Sequence, residues 1–539
     1  MSRYLRGSRR RTVGLPVIGV ILTSLVLGCR AKHAPEEATD IRSALSERTP
    51  GTQTAGPTST RAAVARFYDL RGMRFAWTAR KPLSVVDDAL ALIAAADEHG
   101  FDRAWYGYDG LRAARARLAA KPPEGDAGRR ELARFDVRLT TSLMSLGHDV
   151  AVGRTRPVRW RPQRRLPDLA SSLAAARNGR LSSWLDTLRP PHEEYAGLQK
   201  ALAALRGVQA KGGWPTVNRR PTKASRIALV RRLEMSGDLA TGKTLSTEAM
   251  LDAVESFQSH HGLSLTGRLD GATMTAMNVP LTTRIRQVRI NLERWRWMPD
   301  DLGDRHIIVN IPEFHLKAIE RSREVLDIRA IVGRKGDETP VLSKEMTTVV
   351  FSPYWNIPET IATDETLPEI TNDPGFLDKN NIEVVRVSTG SPEVVDPATI
   401  DWADAETLKG LSFRQRPGEG NALGLVKFLF PNSQNVYVHD TPGGHLFSRI
   451  GRSFSHGCVR IEQPIALAQY VLRDQRQWTP EAIQAAMKAG TEAHVRITAP
   501  IPIHLAYFTA WRDANGGLNF RDDVYGYDGV APALELARR

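Results

Sequence analysis

The chain is 539 residues long, more than one hydrophobic core usually supports, so two to four domains are expected. Its hydrophobic fraction of 42% is that of globular protein, and it holds only two cysteines, Cys29 and Cys458. Net charge is +14, yet Arg3, Arg6, Arg9, Arg10 and Arg11 supply five of those charges ahead of an apolar run, which leaves about +9 for the rest.

Residues 1–28, with the cysteine that follows, read "MSRYLRGSRRRTVGLPVIGVILTSLVLGC": a basic start, an apolar stretch from Val13 to Leu27, and small Gly28 before Cys29. This is the pattern of an export signal. The apolar stretch is shorter than the ~20 residues of a membrane-spanning helix, and Pro16 interrupts it. Its end, "VLGC", resembles a bacterial lipobox. That resemblance implies cleavage before Cys29, lipidation of Cys29 and a periplasmic protein anchored to the inner or outer membrane. The outer membrane is favoured because Arg30, not aspartate, comes next. Cys458 is then an unpaired thiol in an oxidising compartment, either reactive or a small buried hydrophobe.

Residues 29–60, free of aromatics and rich in Ala, Thr, Ser, Pro and Glu, read as a flexible tether reaching roughly 30 Å. Residues 61–222 read as a helical scaffold domain. In "SVVDDALALIAAADEHG" Val85, Ala89, Ile93 and Ala96 share a face, and Gly100 suits the end. The six arginines of "RTRPVRWRPQRR" (154–165) read as a solvated face. An exported chain excludes nucleic acid as their partner.

Residues 223–282 read as a module of three short helices. Ser246 caps one that aligns Met250, Ala253, Val254 and Phe257, Gly262 ends it, and Asp270 caps the next. The stretch "AVESFQSHHGLSLTGRLDGATMTAMN" resembles the peptidoglycan-binding-domain-1 family at Phe257, Gln258, His261, Gly262, Leu263, Gly267, Asp270, Thr273 and Asn278.

Beyond "NLERWRWMP" the period changes from 3.6 to 2. "HIIVNIPEFHLKAI" and "VLDIRAIVG" flank the hairpin signal "ERSRE", and "TTVVF", "LVKFLF" and "NVYVHD" continue as short strands. A β-rich domain is expected over 295–500, with mixed helix and loop inserted at about 359–415 as a lid, and a C-terminal extension over 501–539. The fold class is multidomain α+β.

The chemistry gathers in "NVYVHDTPGGHLFSRIGRSFSHGCVRIEQP". Tyr437 and His439 face one side of a strand, Val436 and Val438 the other. Cys458 precedes a helix that opens at Pro464. A nucleophilic thiol needs a base within reach and donors for an oxyanion. Three histidines compete as base: His439 from a neighbouring strand, His456 two residues away, and His445 in a Gly-flanked loop. An adjacent imidazole is expected to give a thiolate–imidazolium pair. Gly457 lets the amides of Gly457 and Cys458 approach a tetrahedral intermediate. His439, His445, His456 and Cys458 would also serve as zinc ligands.

His439, then Ser455, His456, Gly457, Cys458, Val459 and Arg460 resemble the signature of the L,D-transpeptidases with a YkuD-type catalytic domain. "FSPYWNIP", "RQRPGEGNALGLVKFLFPN" and "IPIHLAYFTAW" look like that family's large multidomain Gram-negative branch. The resemblance implies that Cys458 attacks the bond before the terminal D-alanine of a tetrapeptide stem, with His439 as base. A neighbouring diaminopimelate amine then takes the acyl group. It also implies supporting roles for Ser455, His456, Gly457, Asp440 and Arg460. Either the Asp440 carboxylate or a backbone carbonyl orients His439, and Arg460 braces the nucleophile loop or binds a stem carboxylate. Tyr354, Trp355, Asn421, Gly424, Lys427 and Phe447 are expected at the substrate cleft. No metal or cofactor is called for. The partners are stem peptides, a membrane through the lipid and other cell-wall enzymes. Rival readings are a cysteine carboxypeptidase or endopeptidase, a zinc-dependent wall hydrolase and a non-catalytic wall-binding protein.

Overall fold

The computed structural model describes residues 36–47, 58–78, 84–155, 162–220, 222–242, 246–386, 392–402, 404 and 408–529. The export segment and Cys29 lie outside the described residues. No helix among those described is long and apolar enough to cross a membrane. The chain divides into two compact units: Met1–Ala94 with Ala104–Leu146 and Asp168–Trp184, and Ala95–Arg103 with Gly147–Pro167 and Leu185–Arg539.

The first unit is helical. Residues 36–46 form α1, which corrects the tether expected over 29–60. Ile41 and Ala44 are buried, and Arg129 reaches Asp40 while Arg134 holds Glu47. These distant contacts hold a segment whose composition alone favours no fixed structure. Helices α2 (Thr58–Leu70), α3 (Ser84–Ala94), α4 (Tyr108–Ala120), α5 (Gly125–Val152) and α6 (Leu169–Asn178) follow. The buried stripe of α3 is Val86, Ala89, Leu90, Leu92 and Ile93. Asp136 is fully buried and collects the Tyr68 hydroxyl and the Ala76 and Trp77 amides, each at 2.8 Å. A buried carboxylate is tolerable only when donors surround it in this way.

In the second unit, α7 (Trp184–Leu188) and α8 (Glu193–Ala210) lead to the three-helix module of α9 (Lys223–Ser236), α10 (Thr247–His260) and α11 (Gly271–Met277). Ser246 accepts from the Ala249 amide and Asp270 from the Thr273 amide, as the sequence predicts. Gln258 is fully buried and staples the following loop, accepting from the Thr266 and Gly267 amides and donating to the Arg268 carbonyl. Gly262 takes φ +64, where a side chain would be strained. Helix α12 (Leu281–Trp295) is then buried nearly all round. Among its polar groups, Glu293 accepts from the Arg154 and Thr155 amides (2.5 and 2.6 Å), and Arg296 just beyond it binds Glu293 (2.8 Å) and the Tyr195 hydroxyl (2.8 Å). Arg164 was expected on a solvated face. Its side chain is instead buried, paired with Asp300 and donating to the Leu188 carbonyl. Arg156, Arg159 and Arg161 lie outside the described residues.

The β-rich region is a sheet in the order β11-β3-β12-β10-β9-β4-β13-β1-β2, and β3 also pairs with β2, so the sheet closes on itself. Its strands are β1 (Arg305–Asn310), β2 (His315–Glu320), β3 (Arg323–Gly333), β4 (Leu342–Phe351), β9 (Val426–Leu429), β10 (Val438–His439), β11 (Ser453–Ser455), β12 (Val459–Ile461) and β13 (Ala493–Ala506). The hairpin at "ERSRE" turns through Arg321 and Ser322, both at positive φ. The domain end expected at residue 500 falls inside β13, which pairs with β4 through Leu505. Residues 507–529 continue through the hairpin of β14 (Ala510–Arg512) and β15 (Leu518–Phe520).

Between β4 and β9 lies the inserted segment, but it is not the mixed helix and loop expected. Besides short helices it holds β5 (Trp355–Asn356), β6 (Ile382–Arg386), β7 (Glu393–Val395) and β8 (Leu411–Gln415), in a separate antiparallel sheet ordered β5-β8-β6-β7. Ile357, Ile370, Leu377, Val384 and Phe413 form its own core.

Candidate active site

Strand alternation builds the site. Val426, Phe428, Val436, Val438, Val459 and Ile461 all enter one core, so Lys427, Tyr437, His439 and Arg460 point to the opposite face. β10 lies between β9 and β12, antiparallel to the first with His439 opposite Lys427, and parallel to the second with His439 opposite Arg460. Cys458 stands one residue before β12, two residues from Arg460, and so shares that face. Spacing in sequence left three histidines open. The sheet register places His439 on the face that Cys458 shares, and the thiol itself meets Tyr437.

His439 is 3% exposed. Its Nδ1 donates to the Asp440 carbonyl (2.6 Å), which leaves Nε2 as the acceptor. Burial, with the Arg460 guanidinium next, lowers its pKa to about 3. The Asp440 carboxylate does not orient the imidazole. It accepts from the Leu425 and Thr441 amides (2.9 and 2.7 Å) and closes the turn below. Burial pushes the half-buried Cys458 thiol up, opposed by the Tyr437 backbone and phenol and by Arg460. Both members of the pair therefore rest neutral. Burial disfavours both charged forms, so neither shift favours the thiolate–imidazolium pair expected from sequence.

The nucleophile loop is held by its own polar groups. Gly457 has φ +111, a conformation that glycine permits. Its amide donates to Ser455 Oγ (3.1 Å), which itself donates to the Cys458 carbonyl (2.5 Å). The Gly457 amide, expected as an oxyanion donor, is thus occupied. The Cys458 amide has no hydrogen-bond partner among the described residues. His456 Nε2 is taken up by Glu365 of the insertion (2.9 Å), which lies in a π-helical turn over Ala362–Thr366. His445 is exposed in a 3₁₀ turn, Gly444–Ser448. Among the described residues no three His, Cys, Asp or Glu side chains are placed to hold a metal ion. The Arg460 Nε is buried without a hydrogen-bond partner.

The expected cleft residues separate into two groups. Lys427 lies beside His439, with its ammonium on the Tyr354 carbonyl (3.1 Å) and near Glu492 (3.5 Å). Tyr354 is half-buried with Arg414 over its ring at 4.5 Å. The others are packed against neighbouring groups. Trp355 joins the core of the insertion, and Phe447 is 3% exposed. A Cβ on Gly424, at φ +61, would lie 2.4 Å from the Asp440 carboxyl. Asn421 is 1% exposed and spends its amide on the Pro353 and Arg416 carbonyls (3.0 and 2.9 Å) while accepting from the Leu423 amide (2.8 Å). Asn421→Ala is therefore expected to cost about 2–3 kcal/mol of stability, read as a lower melting temperature with KM unchanged in the folded fraction. A raised KM at an unchanged melting temperature would return Asn421 to the cleft. Tyr437 and Glu365 were missed from sequence. Tyr437 had a visible signal, its parity with His439 in "VYVHD"; Glu365, 91 residues from His456, had none.

With this geometry in view, comparisons with known proteins are informative. Residues 304–495 match the YkuD family, described as "L,D-transpeptidase catalytic domain". Residues 62–202 match a "Scaffold domain" and residues 223–277 a "Putative peptidoglycan binding domain". A protein of Haemophilus influenzae called "Putative L,D-transpeptidase" is 34% identical over 243 residues. That match covers 45% of this chain and 48% of the relative's length, about half of each.

Proposed function

We propose that this chain, whose closed sheet is similar to an L,D-transpeptidase catalytic domain and whose three-helix module is similar to a peptidoglycan-binding domain, is a peptidoglycan L,D-transpeptidase that joins third-position diaminopimelate residues. The observation that carries this reading is Cys458 on one face with a histidine whose Nδ1 is fixed on a carbonyl and whose Nε2 is an acceptor. His439 Nε2 takes the thiol proton as sulfur attacks the carbonyl before the terminal D-alanine. The imidazolium returns that proton to the leaving D-alanine amine, and a thioester remains. An acceptor amine then attacks the thioester and gives its proton to His439. The new amide forms, the thiol leaves, and it regains its proton. Arg460, with an unpartnered Nε on this face, supplies positive charge for a stem carboxylate.

Export, lipidation at Cys29 and a periplasmic place at the outer membrane complete the proposal, and other cell-wall enzymes are candidate partners. Purified tetrapeptide muropeptides test it. Cross-linked dimers with release of D-alanine are the expected product. Tripeptide monomers alone would mean that water is the acceptor and the enzyme a carboxypeptidase.

A further inference from the structure

We propose that Thr339 and, from a segment beyond the catalytic-domain match, which ends at residue 495, Tyr525 are positioning residues that aim the Cys458 amide as the oxyanion donor. The proposal rests on reading Cys458 as an acyl-transfer nucleophile. Tyr525 Oη donates to the Gly333 carbonyl (2.7 Å) and accepts from the Thr339 amide (3.1 Å). Thr339 Oγ1 donates to the Gly457 carbonyl (2.8 Å) and accepts from the Gly333 amide (2.8 Å). Each hydroxyl thus gives one hydrogen bond and receives another, and both residues are buried.

The consequence follows from peptide geometry. The Gly457 carbonyl and the Cys458 N–H belong to one planar trans unit and point in opposite directions. Holding the carbonyl on Thr339 therefore fixes where the Cys458 N–H points. With the Gly457 amide taken by Ser455, the Cys458 amide is the donor left on this loop. The support is itself rigid. A Cβ on Gly333 would lie 2.1 Å from the Asp337 carbonyl, so the 333–339 loop folds back tightly. The Arg334 amide donates to the Ser455 carbonyl (2.9 Å), which ties that loop to the nucleophile loop. The Tyr525 amide donates to Tyr507 Oη (2.8 Å), Tyr507 donates to Asp523 (2.6 Å), and the two rings stack at 5.4 Å.

Tyr525→Phe keeps the ring and removes the hydroxyl. Thr339→Val keeps the shape and removes Oγ1, and Thr339→Ser keeps both bonds. The test uses the full chain and two reactions at Cys458, each followed by mass spectrometry of the peptide that contains it. A carbapenem acylates the thiol through a tetrahedral oxyanion, as the β-lactam C–N bond breaks and its nitrogen takes a proton. Iodoacetamide alkylates the thiol by displacement of iodide and forms no oxyanion. Tyr525→Phe and Thr339→Val are expected to slow acylation roughly tenfold or more, with alkylation unchanged and Thr339→Ser close to wild type. Equal slowing of both reactions, or acylation at the wild-type rate in Thr339→Val, would overturn the proposal. A wild-type chain that forms no acyl adduct would sink the acyl-transfer reading itself, and this proposal with it.

Discussion

Cys458→Ser is expected to lose acyl transfer by on the order of 10⁴-fold or more while melting at the wild-type temperature. A hydroxyl is far less acidic than a thiol, and the base that must take its proton is a buried imidazole with a pKa near 3. Such a weak base serves a thiol in concert with attack but cannot serve an alcohol. Sulfur and oxygen differ little in size, so the half-buried position tolerates the change. Muropeptide dimers and carbapenem adducts should both vanish. Dimers that persist in Cys458→Ser would remove this residue from the chemistry.

The second large effect is expected at His439. His439→Gln should reduce acylation by roughly 10²- to 10⁴-fold, the usual worth of a positioned general base. The pH dependence carries the sign of the neutral pair. Burial lowers the imidazole to about 3 and raises the thiol, so His439 stays able to accept a proton throughout the neutral range. The acid limb of wild-type acylation should therefore lie well below pH 6.5. Alkylation by iodoacetamide should still be rising at about pH 9, since a thiol raised above its ordinary value of about 8.5 is not fully ionised there. An alkylation rate already flat at pH 7 would mean a preformed thiolate and would overturn the neutral resting pair.

Local signals were readable in the sequence and non-local ones were not. The caps at Ser246 and Asp270 and the turn at Arg321 and Ser322 depend on neighbours within a few residues, and all appear where expected. The strands of the insertion are five residues or fewer among Asn, Gly and Pro, too short to show a period. β13 accommodates Pro500 with a register shift between Arg496 and Ile501, and Pro502 pairs in register with Glu345. At the site, His439 and Cys458 were legible through their resemblance to a signature. Spacing alone left three histidines open; the parallel pairing of residues 438 and 459, which no spacing reveals, puts His439 on the face that Cys458 shares. Asn421 and Gly424 were expected at the cleft through the resemblance; in the structure their contacts hold a turn.

Helix α12 has a consequence for the order in which the chain matures. Its Glu293 and the following Arg296 are 1% exposed and are satisfied by groups at Arg154, Thr155 and Tyr195, made 101 to 139 residues earlier. During synthesis those earlier segments leave the ribosome long before the charges they must neutralise exist. The core around α12 thus closes late, by contacts of long sequence separation, and slow folding is the expected result. A fragment that begins at the catalytic match would never meet this requirement, because it lacks the helix altogether.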